Sequence, residues 1–140
     1  MLAPQEHLNH AKHVVFPKKI TVNTATIDAW AENNNVDHID LMWLDMQGHE
    51  LSALKASTTI LSTVKLIYTE VEFVKAYKGQ ALYKEMKEWL ATQGFRVIAL
   101  DFDKKQAAAT NIPVGAQFYG NALFINERYY PVAGSVSGKA

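Results

Sequence analysis

The sequence predicts an alternating α/β domain built around a mostly parallel sheet. Three stretches carry that expectation. In "IDLMWLDMQGHELSALKAS" the apolar run Leu41–Leu44 passes straight into Asp45, Gly48 and Glu50, and then Leu51 and Leu54 recur at helical spacing. In "VKLIYTEVEF" β-branched and aromatic residues mark a second strand. "ALYKEMKEWLATQG" is a helix that runs into the third strand, "FRVIALDF". Helices placed between strands imply right-handed crossovers and parallel strands. The link before "GNALFIN", residues 103–119, holds no evident helix, so this last strand is expected to run antiparallel.

Taken in order, residues 1–19 are polar, broken by Pro4 and Pro17, and read as an arm or loop. Ile20 and Val22 alternate as in a short strand. Thr26 is placed to cap a helix carrying Ile27, Trp30 and Ala31, which ends at Asn33–Asn35 because asparagine tolerates the left-handed cap conformation. The run Leu41–Leu44 suits a strand covered on both faces. Gly48 permits a sharp exit, and Leu61 stays in phase with Leu51 and Leu54 if one helix continues that far. In the next helix Leu82, Met86, Trp89 and Leu90 share a face, and Gly94 stops it. Trp30, Trp43 and Trp89 all lie in apolar patterns and read as core. The domain is expected over residues 20–130, with a disordered tail of Gly, Ser, Ala and Lys over 131–140.

Composition narrows the function classes. Lys plus Arg and Asp plus Glu are both 14 in 140 residues, so overall charge makes no case for nucleic acid or an anionic membrane. The absence of cysteine removes disulfides, thiolate metal sites and cysteine nucleophiles. No apolar run approaches the roughly 20 residues of a membrane span, and the start has no apolar signal core. A cytoplasmic protein is the expectation. The seven glycines form no phosphate-binding, dinucleotide or hydrolase-elbow motif.

What remains is a set of carboxylates at strand ends: Asp45, Glu50, Glu70 and Glu72. In open α/β sheets ligands bind beyond the carboxyl ends of the strands, and a carboxylate there can act as a base, orient a hydroxyl or hold a cation. Each also has a plain structural reading. An Asp after a strand often bonds its own turn, and a Glu in the first helical turn is favoured by the helix dipole. His7, His10 and His13 recur every third residue but lie in the polar arm, where solvated side chains explain them better than a metal. His49 adjoins the acidic turn, either as a proton-transfer aid or as a plain surface residue.

Four segments together resemble the FkbM-type methyltransferases: "ITVNTATIDAW" with Thr26-Ile27-Asp28, "IDLMWLDMQGHELSALKAS" with Asp45, Gly48, Glu50, Leu54 and Lys55, "VKLIYTEVEF" with Glu70, and "GNALFIN". Ala56 stands where that family often has glycine. The resemblance implies a Rossmann-like class I methyltransferase fold, here its second half, in strand order four, five, seven, six. It implies S-adenosylmethionine as cofactor, with Asp45, Gln47 and Gly48 beside it. It also implies a small hydroxyl acceptor such as a sugar, catalytic roles for Asp45, Glu50 and Glu70, and no required metal. The family's glycine loop after its first strand and the acidic end of its second have no counterpart here. The cofactor pocket is therefore expected to be incomplete, with Met1 an internal methionine of a longer frame. The strand Leu41–Leu44 would then keep an open apolar edge, inviting self-association or pairing with a missing N-terminal half. The alternative is a non-catalytic α/β module for binding or assembly. A hydrolase using the same carboxylates lacks a nucleophile motif.

Overall fold

The computed structural model describes Lys18 and residues 20–75, 78–101 and 119–132. The polar arm, the histidines within it, the link 103–118 and residues 133–140 lie outside the described residues. Within them the order is α1 (Ile27–Asn33), β1 (Leu41–Leu44), α2 (Glu50–Lys55), α3 (Thr58–Leu61), β2 (Leu66–Glu72), α4 (Tyr83–Thr92), β3 (Phe95–Asp101) and β4 (Tyr119–Asn126). The four strands form one sheet in the order β1-β2-β4-β3. β1 pairs parallel with β2, and β4 runs antiparallel to both β2 and β3. The mixed sheet, its antiparallel last strand and its spatial order are those expected of the Rossmann-like methyltransferase fold.

One apolar layer organises the packing. Met42 and Leu44 from β1, Ile67 and Val71 from β2, and Ala122 and Phe124 from β4 belong to one buried cluster on the sheet. There they meet Leu51 and Leu54 of α2, Leu61 of α3, and Met86 and Leu90 of α4. Leu54, Ile67, Leu90 and Phe124 are wholly buried, each contributing about 1.5–3 kcal/mol at most. Trp89 packs against the margin of this cluster.

Several local expectations need correction. Ile20 and Val22 form no strand and are exposed, because no neighbouring strand among the described residues offers them a ladder. β1 is covered on one face only. Leu41 and Trp43 are 54% and 72% exposed, since among the described residues the core cluster takes only the opposite face. Trp43 meets Tyr68 edge-on instead of entering the core. Trp30 is likewise exposed. The helix after Gly48 does not continue to Leu61. It breaks at Ala56 and Ser57 and restarts as α3, and Leu61 stays buried on the second segment.

That break is built by reciprocal capping. Thr26 caps α1 through Ala29 N–H, and the Ser57 hydroxyl accepts from Ile27 N–H at 2.9 Å. In return, the Asp28 carboxylate accepts from Thr59 and Ile60 N–H at 3.1 and 2.8 Å, closing the start of α3. The Thr-x-Asp pattern at 26–28 thus locks two helix starts together.

Candidate functional site

The register of β1 on β2 sets the site. Leu44, the last residue of β1, pairs with Thr69, so β2 runs on through Glu70 and Glu72 beyond the point where β1 stops. The turn Asp45–Gly48 leaves the sheet beside this overhang. Gln47 and Gly48 both take positive φ, 52° and 93°, which bends the chain sharply into α2. Glu50 is 4% exposed, and one of its oxygens accepts from Met46 N–H at 2.6 Å and Gly48 N–H at 3.3 Å. It is the internal brace of the turn.

The three sequence-predicted catalytic residues come together. Carboxylate oxygens of Asp45, Glu50 and Glu70 lie within 4.8 Å of one another. The Gln47 amide bridges two of them, donating to Asp45 at 2.8 Å and Glu70 at 3.3 Å. Asp45 is exposed, Glu70 half-buried and Glu50 buried. Glu72 shares the strand face of Glu70 but is buried, and its Oε2 has no hydrogen-bond partner among the described residues. His49, the residue before α2, is buried at its Nε2, which is likewise unpartnered there.

The charge balance is unusual. No Lys, Arg or His among the described residues forms an ion pair with any of these four carboxylates. Burial, with the charges of Asp45, Glu72 and Glu50, pushes the Glu70 carboxyl up to about 7. Burial also pushes Glu72 up to about 7, opposed by the nearby Gln80 amide and assisted by the Glu50 charge. Such an arrangement can accept a proton near neutrality, and it attracts positive charge. Of the residues expected at the cofactor, Asp45 and Gln47 present exposed side chains beside Glu70, and Gly48 supplies a backbone N–H, donated to Glu50.

Two participants were not marked by sequence motif. Glu72 was visible as a strand-end acid but not as a buried one. Gln80, 2% exposed, comes from the irregular segment before α4 and packs against Gly48. Gly79 before it, at φ 80°, was the only sequence signal of a turn returning there.

Comparison with known proteins identifies the family. The family model of the methyltransferase FkbM domain matches residues 2–97, more than half of the chain. The 2-O-methyltransferase NoeI of Sinorhizobium fredii (strain NBRC 101917 / NGR234) is 34% identical over 77 residues, 55% of this chain. That alignment spans only 32% of NoeI, so the chain matches about a third of its relative. No solved structure matches. No helix among the described residues is long and apolar enough to cross a membrane. With its strand order, its acidic turn and the match over residues 2–97, the chain belongs to the FkbM methyltransferase domain family.

Proposed function

We propose that this chain forms the acceptor side of an S-adenosylmethionine-dependent O-methyltransferase acting on a sugar or another small hydroxyl compound. The observation that carries the reading is the convergence of Asp45, Glu50 and Glu70 at the end of β1. The donor set suits the cofactor's positively charged sulfonium end, because four carboxylates gather there without a described cation. It does not suit the adenosine end, for which the sequence holds no glycine loop. When bound, the cofactor supplies an electrophilic methyl group on a positively charged sulfur.

This chain's residues would then prepare the nucleophile. A neutral hydroxyl attacks poorly. Exposed Asp45 would accept the proton of that hydroxyl. Gln47 holds Asp45 and Glu70 in fixed relation, which serves the in-line positioning that dominates such transfers. Glu50 supports Asp45 through the turn rather than by touching substrate. The test is transfer of labelled methyl from S-adenosylmethionine to a panel of sugars. Asp45→Asn is expected to reduce turnover about 100-fold or more, the usual scale for a general base. Near-normal turnover in Asp45→Asn would remove the role.

A second reading is favoured by β1, which ends the sheet among the described residues and leaves Leu41 and Trp43 exposed on one face. On that reading the chain is an assembly module whose open strand pairs with another chain carrying the cofactor loop, or with itself. Light scattering separates the two: a clean monomer that binds S-adenosylmethionine stoichiometrically supports the first, and an oligomer without cofactor uptake the second.

A further inference from the structure

Gln80 poses a problem that packing alone does not answer. It is 2% exposed, and a buried amide is costly unless its bonds are made. Most of the other buried polar residues have evident roles. Ser57 caps α1, Thr69 bonds the Glu70 carbonyl, Glu50 braces the turn, and Asn126 bonds Val64 and Arg128. Gln80 lies across the acidic turn. A Cβ at Gly48 would sit 2.9 Å from its Cγ, 3.0 Å from its Nε2 and 3.1 Å from its Cδ. Its side chain therefore fills the space that any residue larger than glycine would need at position 48. On its other side its amide lies near enough to Glu72, at the end of β2, to draw that carboxyl down.

We infer that Gln80 is a positioning residue for the acidic turn: seated in the notch left by Gly48 and wedged against Glu72, it sets the separation between the Asp45–Gly48 turn and the end of β2. That separation determines whether the Gln47 amide can reach Asp45 and Glu70 together. Gly48 then meets two demands at once, a left-handed backbone and the absence of a side chain where Gln80 must lie. The inference rests on the reading that this turn is where transfer occurs, but its test needs no cofactor.

The experiment compares Gln80→Met with wild type by hydrogen exchange and by NMR titration of the carboxyl carbons. Methionine keeps the volume and removes the amide. The expected result is an unchanged urea midpoint, with Met46 and Gly48 amides exchanging about tenfold faster, the scale of coupling between touching groups. Glu72 should titrate higher than in wild type, because it loses the neighbouring amide dipole that draws it down. A residue that only fills space would move neither readout, so wild-type exchange and titration in Gln80→Met would overturn the inference. A double-mutant cycle gives an independent check. Gly48→Ala should cost less protection in Gln80→Ala than in wild type, since the clash is gone and only the backbone strain remains. Additive effects would also overturn it. Absence of methyl transfer would count against the proposed reaction and leave these outcomes unaffected.

Discussion

The two ends of the sheet handle charge in opposite ways. At the end where β1 and β2 begin, opposite charges sit together. Asp40 meets Lys65 at 2.6 Å, and Arg96 lies 3.6 Å from Glu127. Lys65 holds the Asp40 carboxyl below its usual range, and Asp40 raises Lys65 in turn. Buried Asn126 is satisfied there through Val64 and Arg128. At the other end Asp45, Glu50, Glu70 and Glu72 crowd together, and Glu70 and Glu72 are pushed up to about 7. One end is arranged for the folded state. The other carries like charge that folding alone would not select, which is the usual mark of a site that meets a ligand.

Breaking the charge-paired end should give the largest effect. Asn126→Ala removes the donor to the Val64 carbonyl at 2.9 Å and the acceptor for Arg128 N–H at 3.0 Å, both at a buried position. The expected loss is about 1–3 kcal/mol, read as a lower urea midpoint. Relieving the acidic end should act in the opposite direction. Folded Glu70 binds its proton more tightly than unfolded Glu70, so wild-type stability is greatest below the unfolded value of 4.5 and falls as pH rises through about 7. Glu70→Gln should therefore stabilise the chain above pH 7, by about 1 kcal/mol after allowance for the solvent that reaches this half-buried group. The gain should vanish at low pH, where the wild-type carboxyl is protonated in both states. Urea midpoints as a function of pH test this. A loss of stability in Glu70→Gln at high pH would remove the contrast between the ends.

The contrast also shows what a chain reveals before it folds. The four sheet strands, the turn at Gly48 and the cap at Thr26 were legible because each rests on local spacing or on one residue's backbone freedom, whereas the same alternation at Ile20 and Val22 misled. The convergence of Asp45, Glu50 and Glu70 was legible too, since a strand end and the following turn place them together in any parallel sheet. Trp43 was not. Its apolar neighbours suggest a covered strand, but coverage depends on what packs beside β1, and Leu41–Leu44 cannot encode that. The break at Ser57 was hidden for a related reason: its cause is Asp28, about thirty positions earlier, and propensity within the segment does not register such tertiary capping. Gln80 was hidden most completely, because an isolated glutamine in an irregular segment has no pattern to break.

The smallest effect is expected at the Asp40–Lys65 pair. Both side chains are exposed, so solvent and salt screen the contact and their immobilisation opposes it. Asp40 binds its proton less tightly when folded, so any contribution is present above the unfolded carboxylate value and lost as pH falls through the folded one. Lys65 binds its proton more tightly when folded, so its share is lost only as pH rises through its folded value. Between about pH 5 and 9 the pair is fully charged, and Asp40→Asn should leave the urea midpoint unchanged within error at low and high salt alike. Salt should matter at the acidic end instead, stabilising wild type at high pH and doing so less in Glu70→Gln. If Asp40→Asn proved as costly as Asn126→Ala, the asymmetry would reflect strong pairing at one end. The opposite result locates it at the other, in carboxylates held together against their own repulsion.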